Sequence, residues 1–226
     1  MSSPGAPPDG WRPGFTPALG YRALTPLYDT MIAALTRERV WRGHVVAALD
    51  LRAGERVLDV GCGTGSLLLA LSAAAPAASL IGLDPDGDVL ERARAKAHAA
   101  SADIAFAQGF LDQDFIARAG PFDAVVSSLV LHQTPIETKA GLLAGMRRAL
   151  KDGGRLCLAD YGLQSGLMRV LFRASVQTLD GVRDTQPNAD GVLPRLMREA
   201  GFTAVVELKQ VRTATGSICI WIARPG

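Results

Sequence analysis

From about residue 55 to residue 161, two hydrophobic patterns alternate along the chain. Short apolar runs at 56–60, 79–83, 104–107, 122–128 and 155–161 read as strands. They are mostly continuous rather than alternating in polarity, as expected of strands buried on both faces. Between them, Ala/Leu-rich segments at 65–75, 86–99 and 134–150 read as helices, with Asp86 and Thr134 as candidate N-caps. Lys151-Asp152-Gly153-Gly154 reads as a turn that ends the third helix and opens the fifth strand. Strand and helix alternating in this way is the signature of a mostly parallel sheet covered by helices on both faces.

Two segments stand outside that alternation. Residues 25–51 read as one or two helices, with Leu27, Met31, Ile32, Leu35, Val40, Trp41, Val45, Val46 and Leu49 as apolar positions. Residues 162–191 carry Leu167, Met168, Val170, Leu171, Phe172, Val176 and Leu179, with Arg169, Arg173 and Arg183 interspersed. A helix at 192–200 and two closing strands at 202–208 and 217–223 complete the pattern. Additions at the C-terminal edge of an α/β sheet are where a substrate pocket is built, so 21–54 is expected to cover the site and 162–191 to form a lid.

Composition narrows the function classes. With 226 residues, 48% of them hydrophobic, the chain is expected to form a single domain over 21–226. Twenty-four Lys and Arg against 22 Asp and Glu give a net charge of +2, which offers no electrostatic footprint for nucleic acid or an anionic membrane. Residues 1–20 lack a basic leader and an apolar core and are broken by Pro4, Pro7, Pro8, Pro13 and Pro17, so they read as a flexible tail. The uncharged stretch 66–83 approaches the length of a membrane span, but Pro76 divides it into a helix and a strand. Cys62, Cys157 and Cys219 are far apart and cannot all pair, so three reduced thiols in a cytoplasmic protein are expected. No metal-ligand spacing is present, and a monomer or a homodimer is expected.

The most informative stretch is Val57-Leu58-Asp59-Val60-Gly61-Cys62-Gly63-Thr64-Gly65, a buried strand running through a glycine-rich turn into a helix. Gly61 and Gly63 let the backbone approach a ligand, and Gly65 permits tight helix–strand packing. The spacing differs from that of dinucleotide folds and of phosphate loops. Asp59 stands two residues before the first glycine, unfavourable beside a pyrophosphate and favourable beside an ammonium or sulfonium. Asp84 ends the next strand, where a carboxylate can accept two hydrogen bonds from a ribose diol. Acids at both strand tips suit a nucleoside whose far end is cationic, and S-adenosyl-L-methionine is such a ligand.

Together with Gly109-Phe110, Ser127 and residues 150–154, this run resembles the successive motifs of class I S-adenosylmethionine-dependent methyltransferases. The resemblance implies a Rossmann-like seven-stranded mostly parallel sheet in the order 3-2-1-4-5-7-6, with the last strand in sequence antiparallel. By the same resemblance Gly61, Cys62 and Gly63 line the methionine part, Asp59 orients its amino group, Asp84 holds the ribose, and Pro85 contacts the adenine. The acid many relatives place after the third strand is replaced here by Phe110, which would offer an aromatic wall instead.

The residues after the fourth strand, Ser127-Ser128-Leu129-Val130-Leu131-His132-Gln133, lack the motifs of amino- and cytosine-directed enzymes. What remains resembles the small-molecule branch, in particular the ubiquinone/menaquinone C-methyltransferase-like group, and implies a small, rather apolar acceptor. In that group's N-terminal region, Tyr28 would close over the methionine end. His132 is the histidine placed to accept a proton from the acceptor, a catalytic role it shares as a candidate with Asp160 and Tyr161. Two other readings stand beside this one: an NAD-dependent oxidoreductase, against which the glycine spacing and Asp59 argue, and a catalytically silent partner subunit of the same fold.

Overall fold

The computed structural model describes residues 35–226. Seven strands pair in the order β3-β2-β1-β4-β5-β7-β6, as the resemblance implies. The strands are β1 (Arg56–Val60), β2 (Ser79–Asp84), β3 (Ile104–Gln108), β4 (Phe122–Ser128), β5 (Leu150–Tyr161), β6 (Phe202–Thr213) and β7 (Gly216–Pro225). The first five run parallel, and β7 lies antiparallel to both β5 and β6. Strand order therefore reverses between β1 and β4, which opens a crevice at their C-terminal ends.

Successive side chains of each strand serve opposite layers. Val57, Ala124, Val126, Cys157 and Ala159 share one core with Trp41, Val45 and Leu49 of α1 (Glu38–Leu49), Leu67, Leu68 and Leu71 of α2 (Ser66–Ala74) and Leu90 of α3 (Gly87–Ala99). Leu58, Val60, Val125, Leu156 and Leu158 share the other with Phe115 of α4 (Gln113–Ala119) and Leu143 and Met146 of α5 (Ile136–Ala149). Burial on both faces is why these strands read as continuous apolar runs. A bidentate ion pair of Arg155 with Glu55, at 2.6 and 2.9 Å, ties β5 across β4 to the residue that precedes β1, and Arg155 Nε reaches the Leu49 carbonyl at the end of α1.

Several boundaries depart from the sequence pattern. Asp86 caps α3 as expected, its side chain accepting from the amides of Asp88 and Val89. Thr134 does not cap α5: its hydroxyl donates to the Leu131 carbonyl, and the helix starts at Ile136 behind Pro135. Residues 151–154 form no free turn, because β5 already starts at Leu150 opposite Phe122. The four residues are absorbed as a bulge before Arg155 pairs with Ala124. The closing strands run longer than 202–208 and 217–223, since each completes the other's backbone hydrogen bonds. Helix α4, seven residues long, has no counterpart in the sequence pattern.

Residues 162–191 fold into α6 (Gly166–Ala174), α7 (Val176–Asp180) and α8 (Val182–Ala189), and α9 (Leu193–Glu199) follows. Stretch 66–83 divides into α2 and β2 at Pro76, and no described helix is long and apolar enough to cross a membrane. The tail at 1–20, Tyr28 and the part of segment 25–51 before Leu35 lie outside the described residues.

Candidate functional site

The bend after β1 is built from left-handed backbone. Gly61, Gly63 and Gly65 have φ of 71°, 52° and 72°, conformations that cost an L-residue about 1–2 kcal/mol each. At Gly61 space also forbids a side chain, because a Cβ there would collide with Val130. At Gly65 a Cβ would press on Ala93 of α3 and Phe106 of β3 at 3.2–3.3 Å, so this glycine lets α2 start close against the sheet. The amides of Gly61 and Cys62 both donate to the Leu83 carbonyl, at 2.8 and 3.2 Å, fixing the bend to the tip of β2.

Asp84 completes that tie. One oxygen accepts the Gly63 amide at 2.9 Å and the other the Asp86 amide at 3.0 Å, leaving a further lone pair on each for a ligand. Burial pushes its pKa up, against the pull of those two amide donors.

Asp59 is the anomaly of the site. It is 0% exposed, and neither carboxylate oxygen has a hydrogen-bond partner among the described residues. It shares the side of β1 that faces α1, within electrostatic reach of Arg42, Cys62 and Asp84. Burial, and then the Asp84 charge, raise its pKa to about 7, with Arg42 opposing. An unpartnered buried carboxylate is costly on its own and becomes favourable beside a cation.

A cavity of about 420 Å³ opens over this arrangement. Of the expected cofactor-binding residues, Gly61, Cys62, Gly63, Asp84, Pro85, Gly109 and Phe110 line it, and Asp59 lies buried behind that lining. Phe110 and Pro85 supply apolar surface where β2 and β3 end, and Trp41 and Arg42 close the α1 side. The post-β4 segment supplies a further wall through Leu129, Val130, Gln133 and Thr134. Leu129 is held at φ 55°, a strained conformation fixed by its amide donating to the Ala159 carbonyl at 2.9 Å.

Ser127, expected among the cofactor-binding residues, lies elsewhere. It is fully buried, its hydroxyl donates to the Val60 carbonyl at 2.7 Å, and it is Ser128 that borders the cavity. The hydroxyl therefore ties β4 to β1. Cys62 borders the cavity, yet burial pushes its thiol pKa far up, so it is no nucleophile at neutral pH. All three cysteines are unpaired and buried.

His132 is also set back from the cavity, in a short 3₁₀ turn at Leu131–Gln133, buried and flanked by two carboxylates. Asp160 and Tyr161, the other proton-transfer candidates, adjoin it at the tip of β5. Leu111, Thr138 and Leu142 also line the cavity, and none of them, nor Arg42, was expected there. The helical spacing of Trp41 with Val45 and Leu49 signals a core face, but nothing in it marks Arg42 as cavity-facing. No group of three His, Cys, Asp or Glu side chains among the described residues could hold a metal ion.

A family model described as a methyltransferase domain matches residues 57–154. The chain is 30% identical over 206 residues to a demethylmenaquinone methyltransferase of Thermus thermophilus, covering 87% of this chain and 90% of that protein. It is 29% identical over 206 residues to the Deinococcus radiodurans protein of the same name, covering 87% and 82%. Among solved structures, the magnesium protoporphyrin IX methyltransferase of Synechocystis with bound S-adenosylhomocysteine superposes with a TM-score of 0.68 at 21% identity, covering 92% of this chain and 91% of that one.

Proposed function

Since this chain belongs to the class I S-adenosylmethionine-dependent methyltransferases and methylates a small molecule with S-adenosyl-L-methionine as cofactor, we propose that its acceptor is a hydroquinone-like aromatic ring. The observation that supports cofactor binding at this cavity is Asp59. A fully buried carboxylate without a hydrogen-bond partner among the described residues, behind a bend that excludes a side chain at Gly61, fits a ligand that brings its own cation. The acceptor class rests on the apolar wall of Trp41, Leu129, Val130 and Leu142, and on the demethylmenaquinone methyltransferases to which the chain is similar over most of their length.

In this reading Asp84 accepts the ribose hydroxyls, while Pro85 and Phe110 sandwich the adenine. The backbone of Gly61, Cys62 and Gly63 follows the methionine chain. Arg42 and Asp59, opposite charges on the α1 side, take the carboxylate and ammonium of its amino-acid end. When bound, the cofactor supplies a methyl group activated as an electrophile on sulfur. The protein's own contribution is to hold the acceptor in line and keep water out, which the apolar walls of the cavity do.

The test is transfer of label from methyl-labelled S-adenosylmethionine to chemically reduced 1,4-naphthoquinone. Label on a ring carbon is the expected outcome. No transfer by protein that still binds S-adenosylhomocysteine would overturn the acceptor class alone.

A further inference from the structure

Two buried cations join the helices after β5 to the wall that follows β4. His132 Nδ1 lies 2.8 Å from an oxygen of Asp160 at the tip of β5, and its Nε2 lies 3.5 Å from an oxygen of Asp180 at the end of α7. Seven residues on, the fully buried Lys139 of α5 donates to the carbonyls of Leu131 and Thr134, both at 2.5 Å, and to that of Asp184 in α8 at 2.8 Å. Gln133 and Thr134, between these two anchors, face the cavity. Helices α7 and α8 of the expected lid line none of the cavity; they reach the wall behind it through this ion pair, the lysine–carbonyl bond and the packing of α8 on the Leu131–Gln133 turn.

The two sides of His132 are not equivalent. Asp160 is 0% exposed and saturated: its oxygens also accept the amides of Leu131, His132 and Tyr161 at 2.7, 3.3 and 2.7 Å. Asp180 is the looser partner, with a side chain 32% exposed and a longer contact. The His132 and Tyr161 rings meet nearly perpendicular, at 79° with 5.0 Å between centroids, which restrains the imidazole plane. We propose that His132 is a positioning residue: as an imidazolium it clasps Asp180 and holds the lid against the wall formed by Gln133 and Thr134, and loss of its proton releases the lid.

The charges around the clasp support this. Burial alone would strip the proton from His132, but Asp160, and then Asp180, outweigh it and raise its pKa to about 9. Lys139 is lowered to about 8 by burial, against the pull of Asp160 and Asp184. Tyr161 is held neutral by burial. With a proton on each nitrogen and a carboxylate facing each, the His132 ring has no lone pair for an acceptor at neutral pH, so it acts through position rather than as a base.

Deuterium uptake of residues 176–189, measured by mass spectrometry on the S-adenosylhomocysteine-bound protein and corrected for intrinsic exchange, tests the clasp. Wild-type protection is expected to fall by roughly tenfold between about pH 7 and pH 10. Asp180→Asn, at a half-exposed position, should show that loss already at pH 7 and no further fall above it, with S-adenosylhomocysteine affinity unchanged. His132→Gln, which keeps a hydrogen bond to Asp160 without the charge, should behave like Asp180→Asn. Equal protection in Asp180→Asn and wild type at pH 7 would overturn the proposal. So would a wild-type pH-dependent fall persisting in that variant, since it would assign the titration to Lys139. The measurement involves no methyl acceptor, so it stands apart from the acceptor class proposed above.

Discussion

Asp84 accepts the amide hydrogen of Gly63 at 2.9 Å, so the acid at the tip of β2 holds in place the glycine bend that follows β1. One carboxylate shapes the cradle and, in the proposed reading, also grips the ribose. Asp84→Ala removes both contacts and leaves the Gly63 amide unpaired. S-adenosylhomocysteine affinity should drop about 100-fold, corresponding to about 3 kcal/mol, by calorimetric titration. Retained affinity would place the ribose elsewhere.

Asp59 makes stability depend on pH. The folded protein holds its proton to about 7, while the unfolded chain releases it near 3.8. Between these values the folded state binds more protons, so the stability of the cofactor-free protein falls as pH rises from about 4 to about 7 and is flat above. The full effect is at most about 4 kcal/mol. Asp59→Asn removes this dependence, so the variant should be more stable than wild type at pH 8 in urea denaturation and bind S-adenosylmethionine at least about tenfold more weakly. A variant both less stable and tighter-binding would contradict the assigned role.

Gly61→Ala combines a left-handed backbone with a collision against Val130. It should cost about 2–4 kcal/mol of stability and eliminate cofactor binding. Thermal unfolding and titration of the same preparation check the two effects separately.

Ser127→Ala separates a strand tie from a cofactor contact. The hydroxyl bonds the Val60 carbonyl, so its loss should lower stability by about 1 kcal/mol and leave S-adenosylhomocysteine affinity within about twofold. A large loss of affinity at unchanged stability would return Ser127 to the binding site.

What the sequence revealed followed from how local the cause was. The bend, Asp59, Asp84 and the Asp86 cap are written in contiguous residues, where glycine spacing and strand-tip acids state their chemistry directly. The strand order came through the family likeness, since nothing in a run of apolar residues names its neighbour. Helix α4 was missed because seven residues with one buried side chain, Phe115, carry too little periodicity. The continuation of β5 through Gly153 and Gly154 was missed because a bulge and a turn use the same residues. Thr134 looked like a cap, but its hydroxyl found a carbonyl three residues back. The surroundings of His132 depend on residues 28 and 48 positions downstream, Asp160 and Asp180, which only the folded sheet edge and lid bring together.

The most direct test is calorimetric titration of the wild-type protein at pH 7 with S-adenosylhomocysteine and, separately, with NAD. Saturable one-to-one binding of the first and no heat from the second is the predicted result. Binding of NAD, or silence with both, would contradict a cradle shaped by Gly61, Asp59 and Asp84 for a nucleoside with a cationic tail.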